Sequence, residues 1–423
     1  MSFPLKINQL LSKDTKLFST TFLDQSVVSA GNFLTTFLII KFIGLEAFGL
    51  FSAIWIIIIS TNTIQQAIIT NPLLSISTKL KGKFKEKYIS VMQTNQIIFS
   101  LITSLIIFLL VIFNKKFFGL GFFDNKDILY FVISMSIIQF YEFIRRTFYV
   151  ESKLKDLLKM DLLKYIIQIF LICFFLSYGF KSSKTILTII NFASICCIFF
   201  FSNNLPKVNL HYKDIFSSFI RNWDISKWLI LSSFVQWIQS NYLLFLTNFM
   251  LGPIALGVLR ASQSILGISH ILLHSIDSWL TVKTSKELII ESKNIFRNKI
   301  KRLIKNFSIF FFISFSFLIL ISKFLLILFD KSMVNYLFTF RLYCITYLIM
   351  SLNYPIKSIL LGIEKTFSSF ISYGLSVLLI LLLGKTLINN FGLDGTVLTF
   401  IFSQLIMFLT NVYYLKRKIQ YLK

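Results

Sequence analysis

Charged residues are scarce in this sequence, at 14% of 423 residues, whereas a typical soluble protein carries about 25%. This scarcity excludes a soluble globular protein. The apolar residues, which make up 56% of the chain, form long runs such as 97–113, 309–321 and 373–383. A run of about 20 mostly apolar residues can cross the hydrocarbon core of a bilayer as a helix, and such runs therefore predict membrane spans.

Cysteine and histidine are also rare, with four and three residues respectively. Each cysteine falls inside an apolar run, and their spacing matches neither a disulfide framework nor a zinc site. The four residues are Cys173, Cys196, Cys197 and Cys344. They are expected to be small apolar packing residues, and no metal and no cofactor is predicted.

The hydropathy pattern predicts an all-α polytopic membrane protein of about twelve transmembrane helices. The spans are expected near 21–42, 48–76, 89–113, 127–150, 161–180, 184–202, 225–249, 254–281, 307–329, 334–360, 366–388 and 395–415. Every predicted loop is short, so no soluble domain is inserted between the spans.

The net charge of +25 could suggest a nucleic-acid partner, but the placement of the basic residues argues against one. Of the 43 Lys and Arg residues, 32 fall in the N-terminal segment, the even-numbered loops and the C-terminal segment, and only 8 in the other loops. This asymmetry is the positive-inside pattern. It predicts a multi-pass protein of a bacterial inner membrane with both termini in the cytoplasm.

The chain contains an internal repeat. Gly44 matches Gly252 and Gly49 matches Gly257, each pair 208 residues apart. Because six spans per half is an even number, the halves have the same orientation, as in the parallel repeats of some transporters. We therefore expect an N-terminal six-helix lobe at 1–205 and a C-terminal six-helix lobe at 206–423.

Polar side chains follow one face of the first two spans of each half. Such residues are costly inside a membrane, so their distribution is informative. They include Gln25, Asn32, Asn62, Gln66, Gln236, Gln263 and His270. These residues are predicted to line a polar cavity between the halves and to bind substrate. The alternative is that they join helices to one another through hydrogen bonds.

Arg260 lies early in span eight, in the predicted outer half of the membrane. Its guanidinium suits an anionic headgroup, but the side chain could equally extend to the outer interface. Arg341, in span ten, is a second candidate for substrate binding. Arg145 and Arg146, at the inner end of span four, are interpreted as positive-inside anchors, with Glu142 one turn away as an available ion-pair partner.

Asp24, His274 and Asp277 are candidates for ion coupling. Asp24 lies near the predicted inner end of span one, where it could bind a proton or cation, or could cap the start of the helix. His270, His274 and Asp277 are spaced to share one helix face. Such a set could relay protons or bind a metal, but metal binding is the less favoured interpretation.

The stretches Asp24–Phe33, Ile43–Phe51 and Leu251–Leu266 give the sequence a resemblance to a known family. It resembles the polysaccharide transporters of the MATE-like flippase superfamily, which include O-antigen and capsule repeat-unit flippases. The resemblance implies a V-shaped two-lobe fold and alternating access. It also implies a polyprenyl-pyrophosphate-linked oligosaccharide as cargo, with Arg260 as the position that best fits the charged residues expected in the cavity.

The predicted function is therefore a flippase for a lipid-linked glycan. Its partners would be the lipid-linked oligosaccharide and membrane lipids, with a polysaccharide polymerase and glycosyltransferases as further candidates. The alternative is a MATE-type cation-coupled drug antiporter. An enzyme such as a glycan polymerase is not expected, because a polymerase would need a large outer loop and this chain has none.

Overall fold

The computed structural model of this chain is built of helices. It describes residues 3–77, 79–113, 125–180, 182–206, 208, 211–267, 269–270, 272–273, 276, 280, 284, 293–363 and 366–421. The helices are α1 (Phe3–Ile43), α2 (Leu45–Gln65), α3 (Asn71–Ser77), α4 (Gly82–Phe113), α5 (Asn125–Val150), α6 (Leu154–Ser177), α7 (Ser183–Phe201), α8 (Tyr212–Trp237), α9 (Leu243–Leu251), α10 (Pro253–Leu266), α11 (Lys293–Leu320), α12 (Ser322–Phe329), α13 (Leu337–Gly362) and α14 (Thr366–Tyr421). Two π-helical segments, Gln66–Thr70 and Ile238–Tyr242, join α2 to α3 and α8 to α9.

Ten helical segments within the described ranges are long and apolar enough to cross a membrane. One of them, Phe367–Arg417, has 51 residues, and at 1.5 Å per residue it is far longer than the ~30 Å hydrocarbon core. Gly392 interrupts it with φ 55° and ψ −130°, so the segment contains predicted spans eleven and twelve. Helix α10 supplies the start of predicted span eight, and much of the remainder of that span lies outside the described residues. The chain is thus an all-α multi-pass membrane protein, which confirms the predicted fold class.

Two connections between predicted spans are partly helical. Helix α6 begins at Leu154 and α11 begins at Lys293, so the predicted connections 151–160 and 282–306 are wrong over those parts. The reason is that lysines and arginines lower a hydropathy average without breaking a helix, because both are good helix formers. Basic residues that the hydropathy pattern assigns to loops therefore occupy the first turns of spanning helices.

The chain divides into two compact units. The first unit comprises residues 1–43 and 50–234, and the second comprises 44–49 and 235–423. The first part of α8 belongs to the first unit, where Tyr88 donates to Asn222 at 2.9 Å and Asn95 donates to Ser218 at 2.8 Å. The division into lobes at residue 205, which rests on the sequence repeat, stays a prediction.

Helix α5 is fixed in the first unit by apolar packing on two sides. Phe143 lies in a buried cluster with Leu73 and Met92. Ile144, the next residue, lies in another cluster with Leu157. Because both clusters are tightly buried, the residue that follows, Arg145, is held by a rigid stretch of helix.

The repeated glycines of the sequence have matching backbones. Gly44 has φ 95° and Gly252 has φ 85°, a conformation that residues with a Cβ atom rarely adopt. Each ends one helix immediately before the next begins. The equal spacing of 208 residues therefore corresponds to the same turn in both halves of the chain.

The second glycine of each pair allows a close approach of two helix starts within the second unit. A Cβ atom on Gly49 would lie 1.8 Å from the carbonyl oxygen of Pro253, and one on Gly257 would lie 2.4 Å from that of Leu45. Both positions therefore require glycine. The two contacts are reciprocal, since Leu45 and Pro253 are also 208 residues apart.

Candidate functional site

The residues predicted to bind substrate or ions are distributed over both units. The first unit holds Asp24, Gln25, Asn32, Asn62 and Gln66. The second holds Gln236, Arg260, Gln263, His270 and Arg341. His274 and Asp277 lie outside the described residues, so the proposed histidine pair and its acid stay a prediction. The cavity between the halves likewise stays a prediction.

In the first unit, Arg145 pairs with three carboxylates. Its Nη2 atom lies 2.8 Å from Asp161 and 3.4 Å from Asp24, and its Nη1 atom lies 3.2 Å from Glu142. The Nε atom also donates to Asp161 at 2.9 Å. Asp24 and Asp161 are almost fully buried, at 1% and 0% exposure. The cluster thus joins α1, α5 and α6 through charge-assisted hydrogen bonds.

Tyrosine hydroxyls complete part of this cluster. Tyr141 donates to Asp161, and Tyr149 donates to Asp24 Oδ2 at 3.4 Å. The other oxygen of Asp24, Oδ1, is buried and has no hydrogen-bond partner. A buried carboxylate oxygen without a donor is unusual and costly, so Asp24 has an unused position for a proton or a cation.

Lys164 is the second buried cation of this region. Its Nζ atom lies 4.1 Å from the centre of the Tyr141 ring and 5.3 Å from that of Tyr165, and no carboxylate lies within ion-pair distance among the described residues. Cation–π contacts with both rings stabilise its charge. With Lys164 and Arg145 as the cations and three carboxylates as the anions, the cluster has an excess of acidic groups.

The packing of α1 against α6 places Asn32 beside this cluster. Tyr165 donates to Asn32 Oδ1 at 3.1 Å, and Gln168 donates to Thr35 at 2.7 Å. A Cβ atom on Gly31 would lie 2.2 Å from the Tyr165 ring, so the absence of a side chain there lets the ring reach α1. Asn32 therefore already has a protein partner, although it is exposed, as Gln25 is.

Two interpretations made from the sequence are wrong. Helix α1 begins at Phe3, so Asp24 lies many turns inside the helix and is not its cap. Arg145 is 8% exposed and ion-paired, so it is not an anchor in the headgroup region. Arg146 is half-buried and forms no ion pair among the described residues.

Asp161 and Lys164 were not predicted as site residues. Both lie in the first turn of predicted span five, 161–180. The signal that could have identified them is their spacing with Gln168, since positions 161, 164 and 168 share one helix face. That face is polar for several turns and is directed towards α1.

The predicted residues of span two lie next to a change of helix type. Gln65 ends α2 and donates 2.8 Å hydrogen bonds to the side chain of Gln96 and the carbonyl of Gln139. Gln66, which is exposed, opens the π-helical segment. Asn62 Oδ1 is buried without a partner. Single π-helical turns are frequent at functional sites.

In the second unit, Arg260 has no ion-pair partner among the described residues. Its Nη1 atom donates to Gln263 at 3.1 Å, and Gln263 in turn donates to Tyr343 at 2.7 Å. Its Nη2 atom is buried and has no acceptor. This arrangement favours a side chain held within the unit over one that extends to the outer interface.

Two tyrosines of α13, Tyr343 and Tyr347, lie near this arginine. The rings of Tyr343 and Tyr347 have centroids 5.8 Å apart, and His270 lies edge-on to Tyr347 at 5.5 Å. Arginine, amide, phenol and imidazole groups thus lie close together on α10, α13 and the segment that follows α10. They offer hydrogen-bond donors, acceptors and flat rings, with no acid within ion-pair distance of Arg260 in the described part of this unit.

The remaining predicted residues of the second unit lie apart from this group or are exposed. Arg341 is exposed, and its Nε atom donates to Ser322 at 3.2 Å. It lies two positions from Tyr343 and therefore on another face of α13. Gln236 is exposed near the end of α8. Their roles in binding stay predictions.

No protein-family model matches the chain, and no curated protein matches it. Several solved structures do. The lipid II flippase MurJ, in an inward closed conformation, is 15% identical with a TM-score of 0.78, over 95% of this chain and 87% of that chain. An inward-facing multidrug resistance MATE family transporter of the MOP superfamily is 14% identical with a TM-score of 0.72, over 94% of this chain and 98% of that chain. An outward-facing multidrug resistance MATE family transporter is 14% identical with a TM-score of 0.60, over 96% of this chain and 95% of that chain. The chain therefore has the two-lobe helical fold of these proteins.

Proposed function

We propose that this protein moves a polyprenyl-pyrophosphate-linked oligosaccharide, such as an O-antigen or capsule repeat unit, across a bacterial inner membrane by alternating access. The observation that carries the proposal is Arg260. Its guanidinium has no carboxylate partner in the described part of the second unit, and its Nη2 atom is a buried donor without an acceptor. A pyrophosphate provides the missing acceptors and the missing negative charge, and it matches the fork of a guanidinium.

The groups beside Arg260 suit the sugar end of such a cargo. Gln263 and His270 offer polar atoms to sugar hydroxyls, while Tyr343 and Tyr347 offer flat rings to the apolar faces of sugars. In this proposal, Asn32, Gln25, Asn62, Gln66, Gln236 and Arg341 line the path of the headgroup. The polyprenyl tail stays in the lipid.

Asp24 is the proposed site of ion coupling. The support is its unpartnered, buried Oδ1 atom within a cluster that has more carboxylates than cations. A proton or a sodium ion on this oxygen removes one negative charge and weakens the link between α1 and Arg145. Ion binding can thereby change how α1 packs against α5 and α6.

The fold supports transport over catalysis, since the similar solved structures are a lipid II flippase and multidrug transporters. In the proposed topology both termini lie in the cytoplasm, as the distribution of basic residues predicts. Glycosyltransferases that build the cargo on the inner face and a polymerase that consumes it on the outer face are the proposed partners.

A cation-coupled drug antiporter is the second candidate. The observation that favours it is the buried acidic cluster of Asp24, Glu142 and Asp161, because carboxylates suit cationic drugs. Arg145 and Lys164 offset most of that charge, whereas Arg260 is not offset by any acid within ion-pair distance in the described part of its unit. This difference is why a flippase for an anionic cargo is the preferred proposal.

The test is a deletion strain complemented with wild-type protein or with Arg260→Gln. Surface polysaccharide is measured by gel, and the lipid-linked precursor is quantified from the same cells. We expect the deletion to lose polysaccharide and to accumulate precursor on the inner face. We expect Arg260→Gln to restore less than a tenth of the polysaccharide, because removal of one partner of a buried charged hydrogen bond costs about 2–5 kcal/mol.

Arg297→Gln is the matched control, since it removes the same charge from an exposed position on α11. It should complement fully at equal expression. Normal polysaccharide in the deletion strain, together with altered resistance to cationic drugs, would contradict the flippase and support the antiporter. Full complementation by Arg260→Gln would show that Arg260 does not bind the cargo.

A further inference from the structure

An open apolar groove runs along the second unit between α11, α13 and α14. Its cavity volume is about 580 Å³, within the ~300–1,000 Å³ range of small-molecule sites. Its floor belongs to a buried apolar cluster that contains Ile300, Ile356 and Leu415. Phe312 and Ile313 form part of its wall and are more than half exposed. The groove is therefore a built concavity on a well-packed base.

Two lysines line one end of this groove. Lys301 and Lys416 each follow a floor residue directly, and those floor residues, Ile300 and Leu415, pack in the same cluster. The two ammonium groups therefore lie at the same end. Both lysines are exposed, and neither forms an ion pair within the described part of the chain.

Among the residues that the structure describes, no acid offsets this charge locally. The described acids of the second unit are Glu46, Asp330 and Asp394, all in segments that the predicted topology places at the outer surface. Asp330 already accepts a bond from Ser332, and Asp394 from Thr339. The basic end of the groove is therefore complementary to an anion.

The length of the groove fits one leaflet. From Lys301 to Ile313 the lining extends over twelve residue steps of α11, or about 18 Å at 1.5 Å per residue. Half of a ~30 Å hydrocarbon core is of the same order. A single acyl chain anchored at the basic end would therefore fill the groove within its own leaflet, whereas a long polyprenyl chain would extend well beyond it.

We propose that this groove is a binding site for an anionic glycerophospholipid, with its phosphate between Lys301 and Lys416 and one acyl chain along α11. The site is distinct from the Arg260 group and does not depend on the proposed transport function. It stabilises the contact of α11 with α13 and α14, and it makes that contact sensitive to the anionic lipid content of the leaflet.

The experiment measures lipid binding to the purified full chain by native mass spectrometry. The probes are phosphatidylglycerol and phosphatidylcholine of the same acyl length, because they differ in headgroup charge. We expect phosphatidylglycerol to bind more tightly. In the Lys301→Gln/Lys416→Gln double variant the affinity for phosphatidylglycerol should fall about thirtyfold and become equal to that for phosphatidylcholine. This factor follows because each basic residue near an anionic lipid usually contributes about 1 kcal/mol.

The Lys305→Gln/Arg417→Gln double variant is the matched control. It removes two positive charges from the same helices at positions that do not line the groove, and it should retain most of the affinity. Ser308→Phe fills the groove and leaves both lysines in place, so it should also reduce phosphatidylglycerol binding. Thermal unfolding of each variant checks that it is folded.

The proposal would be overturned by equal affinities for the two phospholipids, or by equal losses in the two double variants. It would also be overturned if polyprenyl phosphate displaced phosphatidylglycerol from the wild type but bound the Lys301→Gln/Lys416→Gln variant less well, since the groove would then be a cargo site. None of these results depends on transport activity, so failure here is distinguishable from failure of the flippase proposal.

Discussion

Replacement of Arg145 with methionine tests whether the ion cluster stabilises the first unit. Methionine keeps a long apolar side chain but removes the charge that faces Asp24 and Asp161, which are both almost fully buried. Loss of one partner from a buried ion pair costs about 3–5 kcal/mol, because the remaining charges are left without a counter-ion. We expect a loss of that size in the free energy of unfolding, measured in mixed detergent micelles by tryptophan fluorescence.

Arg146→Met is the control for this prediction. Arg146 is adjacent, half-buried and outside any ion pair in the described residues, so its replacement should cost no more than about 1 kcal/mol. A second variant, Arg145→Met combined with Asp161→Asn, should recover part of the loss because it also removes one unpaired carboxylate. Equal losses for Arg145→Met and Arg146→Met, or no recovery in the combined variant, would refute the reasoning.

Two further predictions concern the second unit and the coupling site. Gly257→Ala places a Cβ atom 2.4 Å from the carbonyl oxygen of Leu45 and should destabilise the protein by about 1–3 kcal/mol. In the control variant Gly374→Ala the new Cβ atom meets no atom within 4 Å, so it should be neutral or stabilising by up to about 1 kcal/mol. Thermal unfolding measures both variants. Asp24→Asn should abolish the dependence of vesicle transport on a proton or sodium gradient, and it should destabilise the protein less than Arg145→Met does. Retention of the gradient dependence would exclude Asp24 as the coupling site.

The fold could be predicted because it depends on properties summed over many residues. Each span averages about 20 side chains, so single misplaced charges do not hide it. The repeat could be predicted because Gly44 and Gly252 must adopt a backbone that favours glycine. Both signals can be read from the order of residues and need no knowledge of which helices touch.

The ion cluster could not be predicted in the same way. Arg145 and Asp24 are separated by 121 residues, and no local pattern joins them. The hydropathy pattern places Asp161 and Lys164 in the first turn of span five, where charged residues are expected at the membrane surface. Their burial depends on partners supplied by α1 and α5, and it is therefore a property of tertiary packing.

The reciprocal glycine contacts have a consequence for how substitutions combine. Leu45 meets Gly257, and the equivalent pair, Pro253 and Gly49, meets in the same way. When residue i of one copy contacts residue j of another and j contacts i in return, the arrangement is isologous, as in a two-fold homodimer. A side chain added at either glycine therefore needs a compensating change on the helix start that faces it, not beside it in sequence.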